Sequence, residues 1–377
     1  YGKSIEVVCS TIIIFSYLGW VAAQITALGL VFNLLSQGAI SISMGMVIGT
    51  SVVLVYTLYG GMWSVAMTDF VQMIVIGVGL VLIAWFAADL AGGAGKVIEY
   101  AAREGKFQFF PASSDGKEWV FFFAAAITMM LGSIPQQDVF QRVMSSRDAK
   151  TAVRGPVIGG VLYFLFTQIP MFVVTAAVMV MPDVAPALLQ DDPQKVLPTL
   201  VMEKMPVILQ VAFFGALLSA IMSTASATLL APSTTFVENI LRNIKPGMSD
   251  QATLRAMRIS VLVFTVCVLL YAITMQGTSI YELVSGAYQV PLVGAFTPLV
   301  FGLYWKRATT QGAIMSVVLG LGTWLLFIAV PGWADAFPQQ LAGLLAAITG
   351  MLAGSLMPQF MADHKGHVHH FEGSASA

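Results

Sequence analysis

Residues 216–235 read ALLSAIMSTASATLLAPSTT, and eight of the twenty carry hydroxyls: Ser219, Ser223, Thr224, Ser226, Thr228, Ser233, Thr234 and Thr235. Counted from Ala220, Ser223 lies three residues on, Thr224 four, Ser226 six and Ala227 seven. Offsets of three, four and seven share one helical face. Oxygen atoms on that face are neutral ligands for a hard cation such as Na⁺, because hard cations prefer oxygen. The same spacing also serves packing, since small residues let helices approach and Ser or Thr can bond back to helix carbonyls. Spacing alone leaves both readings open.

Three other places put polar groups into apolar surroundings. Asp69 stands near the start of the long apolar run DFVQMIVIGVGLVLIAW. A carboxylate there costs about 2.5–3.5 kcal/mol at a bilayer centre and less near its edge, so a cation, hydrogen bonds or an interfacial position must offset it. Residues 134–142, IPQQDVFQR, bring Gln136, Gln137 and Asp138 behind Pro135. Interrupted helices with freed backbone and nearby amides are a common way to face a transported solute, whereas a helix ending in a basic loop at Arg142 fits equally. In IYELVSGAYQVPLVGAFTP, Ser285, Tyr288 and Gln289 lie among Gly286, Pro291 and Pro298, as in a site helix or a kinked packing helix. Trp20 and Gln24, in YLGWVAAQ, give a weaker form of the same pattern.

The elements that must position these residues are membrane helices. The chain has 377 residues, 58% hydrophobic and 10% charged, against about 25% charged in soluble domains. About 20 apolar residues cross a bilayer, and ten such segments can be read: 5–33, 40–58, 64–88, 118–134, 156–180, 207–235, 257–276, 284–304, 311–330 and 339–357. This predicts an all-α polytopic bundle over residues 1–357 and a His-rich tail over 358–377. With ten spans, twelve of the 18 Lys and Arg fall on the side that holds both ends, which predicts that side to be cytoplasmic. The loops 89–117 and 181–206 then lie outside, the second with room for a short surface helix. Cys9 and Cys267 sit in apolar runs and read as small buried residues, not as a disulfide or metal pair. The tail gathers all four histidines, which a disordered end or a metal-binding tract would explain. A net charge of −1 gives no general field for nucleic acid, and no catalytic motif appears, so an enzyme is not expected. The chain starts at Tyr1, directly in an apolar segment, and reads as one cut on its N-terminal side.

Four stretches resemble the sodium–solute symporter family: YTLYGGMWSVAMTDFVQ (56–72), IPQQDVFQRVMSSRDAKTA (134–152), GALLSAIMSTASATLLAPSTTFVENI (215–240) and GLYWKRATTQGA (302–313). The likeness runs in order along nearly the whole chain, and the second stretch resembles the choline-carrier branch. It implies a leucine-transporter-like fold of five plus five inverted-repeat helices, here about ten helices with the first core helices missing. It implies sodium-coupled symport of a small organic solute by alternating access, in a bacterial inner membrane.

The resemblance also implies roles for residues. The carbonyl of Ala220 and the hydroxyls of Ser223 and Thr224 match the sodium ligands of the family's eighth core helix. Asp69 and Ser226 match part of a second cation site, where Ala227 replaces a hydroxyl. Gln136, Gln137, Asp138, Ser285, Tyr288, Trp20 and Gln24 fall at substrate or gate positions, with Gln136 in place of a choline-branch Trp. The co-transported ion would be Na⁺, and the partners a small organic solute and the lipid bilayer. The alternatives are a proton-coupled or uncoupled permease, or a membrane sensor built on the same bundle.

Overall fold

The computed structural model describes residues 1–361, apart from the side chains at 60–62 and 64, and every regular element among the described residues is helical. Helices suit a bilayer because each satisfies its own backbone. Among the described residues, nine helices are long and apolar enough to cross a membrane, or ten if the bent pair Gly116–Gly132 and Gln137–Met144 is one span. In chain order the helices are α1 (Lys3–Leu35), α2 (Ile42–Leu90), α3 (Ala94–Arg103), α4 (Gly116–Gly132), α5 (Gln137–Met144), α6 (Ala149–Phe166), α7 (Gln168–Val180), α8 (Ala185–Asp191), α9 (Val196–Lys204) and α10 (Val207–Thr235). They continue with α11 (Arg242–Ile244), α12 (Asp250–Thr274), α13 (Ile280–Pro291), α14 (Thr297–Tyr304), α15 (Thr310–Ala329), α16 (Trp333–Ala336) and α17 (Gln339–Leu356). Short π-helical stretches at Phe236–Leu241 and Leu292–Phe296 carry the chain on from α10 and from α13.

Helical backbone runs from Ile42 to Leu90, yet it holds two spans, Ile42–Tyr59 and Val65–Leu90. Their neighbours show that the chain turns back between them. The Gln276 amide donates to Ser43 Oγ at one end of α12, while Thr57 and Leu58 lie with Met257 near its other end. Asp69 then meets Ser223 in the middle of α10, and Gly79 lies against Ala212 and Ala216 near its start. Close approach of α1 to the first span uses glycine on both sides: a Cβ at Gly29 would meet the Ile42 carbonyl at 2.7 Å, and one at Gly45 the Gly29 carbonyl at 2.9 Å.

The main core lies where α1, α2, α7, α9, α10 and α12 meet, around Tyr17, Ile25, Leu28, Ile83, Leu200 and Leu229. By contrast α6 has no buried residue, as expected for a helix turned to lipid. Several predicted boundaries move outward because polar turns are also helical. The segment predicted at 257–276 begins at Asp250, capped by Ser249, and the one predicted at 284–304 begins at Ile280, where Ser279 and Glu282 form a capping box. The segment predicted at 156–180 begins at Ala149, behind the Asp148 cap.

Two expectations need correction. Residues 181–206 hold two α-helices, α8 and α9, and α9 is not a surface feature: Val196, Leu200 and Val201 are buried in the main core. Their apolar side chains close the end of the bundle beside α7 and α10, which burial favours over solvent. Cys267 is exposed on the outer face of α12 and Cys9 only half-buried, because an apolar run in lipid need not point inward.

Candidate functional site

The site begins with a helix that stops. Pro135 has no N–H to donate, and α4 ends at Gly132 while α5 resumes at Gln137, bent by 40°. The break leaves the first N–H groups of α5 without helical partners. Tyr17, buried in the middle of α1, supplies one: its hydroxyl accepts from the Asp138 backbone N–H at 2.8 Å and donates to Asp138 Oδ1 at 2.7 Å. Two residues earlier the Gln136 amide donates to Ser16 Oγ at 3.2 Å, while its Oε1 is buried without a protein partner. Pro135 thus lies in the break itself, between α4 and the resumed helix α5.

Asp69 occupies the next level. Its Oδ2 accepts from Arg142 Nη2 at 2.8 Å and its Oδ1 from Ser223 Oγ at 2.5 Å. Arg142 also donates to the Asp138 carbonyl at 2.9 Å, so one guanidinium ties the second span of α2 to α5. The carboxylate is 21% exposed and the guanidinium 37%, a setting in which a charge needs its partner more than at a free surface.

On α10 most of the hydroxyls bond back to the helix. Thr228, Ser233, Thr234 and Thr235 donate to carbonyls four residues earlier, which is ordinary helix chemistry. Ser223 and Thr224 lie one turn beyond Ala220, and Ser226 three residues beyond Ser223. Thr224 Oγ1 donates to the Ala220 carbonyl at 3.1 Å, and Ser226 Oγ to the Ser223 carbonyl at 3.0 Å. Each acceptor oxygen keeps a second lone pair. Ser226 thus reaches Ser223, and Ser223 in turn reaches Asp69. Tyr56 closes this level by donating to the Met222 carbonyl at 2.7 Å.

Trp20 and Tyr288 bring α1 and α13 together as an aromatic pair, with ring centroids 5.1 Å apart. Gly19 allows α1 and α13 to approach, since a Cβ there would lie 2.9 Å from the Leu283 carbonyl, and Gly132 lets α4 pack against the Tyr288 backbone in the same way. Gln24 stands one turn beyond Trp20, and Ser285 nearly one turn before Tyr288; both are half-buried. Gln137 opens α5 between Gln136 and Asp138. Gln289 points elsewhere: its Oε1 accepts from Trp324 Nε1 at 2.9 Å and Gln339 Nε2 at 2.8 Å, joining α13 to α15 and α17.

Sequence reading missed Ser16, Tyr17 and the role of Arg142. Tyr17 lies three residues before Trp20, on a shared helical face, and that spacing was the available signal. The histidines of the tail lie outside the described residues.

The sodium:solute symporter family model matches residues 1–320. The high affinity choline transporter 1 of Homo sapiens is 30% identical over 315 residues, covering 80% of this chain and 52% of that protein. The high-affinity proline transporter PutP of Bacillus subtilis is 26% identical over 361 residues, covering 95% of this chain and 74% of that one. The sodium/pantothenate symporter of Haemophilus influenzae is 26% identical over 307 residues, covering 80% and 62%. The chain thus spans from 52% to 74% of the length of these relatives. A Na⁺-coupled sialic acid symporter, solved substrate-bound and outward-open, superposes with a TM-score of 0.77 at 19% identity, over 95% of this chain and 75% of that one. That likeness shows the fold, the leucine-transporter-like bundle that the sequence motifs implied.

Proposed function

The chain belongs to the sodium:solute symporter family, and on that premise we propose that it forms the bundle, over residues 1–357, of a protein that couples inward Na⁺ movement to uptake of a small organic solute by alternating access. It is a multi-pass integral membrane protein. The excess of Lys and Arg on one side supports a cytoplasmic location for both ends, in a bacterial inner membrane. The tail over 358–377 would then be cytoplasmic.

One observation carries this reading. The Ala220 carbonyl and the Ser223 and Thr224 hydroxyls gather on one turn of α10, at the depth where Asp69 meets the α4–α5 break through Arg142. Those three oxygens are the proposed Na⁺ ligands of this chain. The solute would sit against Trp20 and Tyr288, with Gln24, Gln136, Gln137, Asp138 and Ser285 as polar contacts or gate. Gln136 Oε1 is a ready acceptor for a solute N–H or O–H, because a buried acceptor left unmade costs about 1–3 kcal/mol. Choline, proline and pantothenate, which the relatives' names specify, are the first solutes to try.

One Na⁺ per cycle is the stoichiometry this arrangement favours. A second cation at Asp69 and Ser226 would have to displace the Arg142 guanidinium, which already neutralises the carboxylate. One ion is enough: a tenfold gradient contributes about 1.4 kcal/mol and 100 mV about 2.3 kcal/mol, together a several-hundred-fold accumulation of a neutral solute. Binding of Na⁺ and solute would be mutually reinforcing, as linkage requires.

Solute uptake by the full-length protein in proteoliposomes tests the proposal. Accumulation should require Na⁺ outside and collapse when K⁺ replaces it. Equal accumulation in K⁺ would favour a proton-coupled or uncoupled permease instead.

A further inference from the structure

A cavity whose lining includes none of the proposed ion or solute residues lies between α2, α5, α10 and α12. It has a volume of about 340 Å³ and is lined by Thr57, Leu58, Gln141, Leu230, Thr234, Leu254, Met257, Arg258 and Val261. Two polar groups of its lining lack partners. Thr57 is 2% exposed, and its Oγ1 has no hydrogen-bond partner; the Gln141 Nε2 is buried and equally without one. Native proteins rarely leave such groups unmade, and each costs about 1–3 kcal/mol. Both can donate. Arg258 adds a guanidinium that makes no ion pair among the described residues and lies over the Tyr59 ring at 5.9 Å. No lining residue is acidic. The polar end of the cavity is thus a set of donors awaiting an acceptor that carries negative charge.

The rest of the wall is apolar: Leu58, Leu230, Leu254, Met257 and Val261. A free inorganic anion has no use for that surface, whereas an amphiphile covers both. The depth fits as well. Tyr59 is 80% exposed and Trp63 78%, at the end of one span and just before the next. Aromatic rings in that position mark the membrane–water boundary. Beyond the cavity α12 presents Ile259, Leu262, Val263 and Val266 outward, a path along which acyl chains can lie.

We propose that this cavity holds the phosphodiester headgroup of an anionic membrane lipid, with Arg258 as its counter-ion and Thr57 and Gln141 as hydrogen-bond donors. Basic pockets between membrane helices bind lipid headgroups in this way. The lipid would lie across α10 and α12, at a cavity whose lining includes neither Trp20 nor Tyr288. The inference stands whether or not the transported ion is sodium.

The full-length protein, purified and exchanged into nanodiscs of phosphatidylcholine with and without phosphatidylglycerol, provides the test. Native mass spectrometry would count the lipids retained, and thermal unfolding would report their effect. Phosphatidylglycerol should be retained over phosphatidylcholine by roughly fivefold, the value expected from one basic side chain near the surface. Arg258→Gln should abolish the preference, while Arg307→Gln, an exposed cation elsewhere in the chain, should keep it. Leu254→Trp should exclude the lipid by filling a wall that is already partly exposed. Equal retention of the two lipids, or an unchanged preference in Arg258→Gln, overturns the proposal. Inorganic phosphate that stabilises the protein as well as phosphatidylglycerol does would also overturn it, in favour of a soluble anion.

Discussion

The Asp69–Arg142 pair offers a decisive perturbation, because it bears on both folding and ion number. Replacing Arg142 by Gln keeps an amide donor that can bond back to the Asp138 carbonyl four residues earlier, but it shortens the side chain and removes the charge. Asp69 would retain the Ser223 hydroxyl at 2.5 Å and lose its counter-ion at 2.8 Å. A fully buried carboxylate stranded in this way costs about 3–5 kcal/mol, and an exposed pair contributes about 0–1 kcal/mol. With side chains 21% and 37% exposed, this pair falls between those limits, and a loss of about 2 kcal/mol is expected in K⁺.

In Na⁺ the outcome should differ. An unpaired carboxylate beside Ser223 and Ser226 is an oxygen cluster with net negative charge, which attracts a hard cation. Na⁺ should therefore restore much of the stability of Arg142→Gln, and do so more than for the wild type. Uptake by the variant, if retained, should depend more steeply on Na⁺, moving from a Hill coefficient near one towards two. Thermal unfolding in Na⁺ and in K⁺, for wild type, Arg142→Gln, Asp69→Asn and the double variant, gives the coupling energy directly. An equal loss in both salts, with no coupling between the two positions, would refute the idea that Arg142 stands where a second ion would bind.

Four further outcomes follow from the geometry. Ser223→Ala and Thr224→Ala should each raise the Na⁺ concentration for half-maximal uptake by roughly fivefold to thirtyfold, about 1–2 kcal/mol per lost ligand; unchanged Na⁺ dependence in both would remove them from the ion site. Tyr17→Phe strips a donor from Asp138 Oδ1 and an acceptor from the α5 start, and should cost about 1–3 kcal/mol in thermal or denaturant stability. Gly132→Ala puts a methyl 2.4 Å from the Tyr288 carbonyl, so it should weaken solute binding and cost about 1–3 kcal/mol; wild-type uptake would show that the Trp20–Tyr288 pair need not be held this closely. Gln289→Leu should lower stability by about 1–3 kcal/mol, by leaving the Trp324 and Gln339 donors unmet, while the Na⁺ dependence of uptake stays unchanged.

The spans were legible because lipid imposes one rule on every helix, and the apolar runs repeat it. Helix ends were less so. Asp250 and its neighbours are helical although polar, and only the Ser249 cap marks where the helix starts. Residues 181–206 differ from the surface helix that their place between two spans suggests, because Val196, Leu200 and Val201 turn inward to the core. The hydroxyls of α10 were legible as a group but not one by one. Thr224 and Thr228 both bond to the carbonyl four residues back, and nothing in their local spacing separates them.

Long-range contacts single out other residues. Ser223 meets Asp69 from 154 residues away, and Asp138, just beyond the break at Pro135, meets Tyr17 from 121 residues away. A sequence marks such a site as an excess of polar groups at several points in apolar runs, without saying which belong together. Gln289 illustrates the limit: like Gln136 it is an amide within two residues of a proline, yet it joins α13 to α15 and α17, whereas Gln136 keeps a free acceptor at the helix break. The distinction has a physical basis. An amide whose oxygen already accepts two donors is structural, because any solute would have to replace both bonds. An amide with a buried, unmade acceptor gains a bond when a solute arrives, and binding is favoured by the difference. Gln136→Leu should therefore weaken solute binding more than it destabilises the protein, and Gln289→Leu should do the reverse. Comparing solute-dependent thermal shifts of the two variants decides it, and equal effects in both would show that the free acceptor at the break has no part in binding.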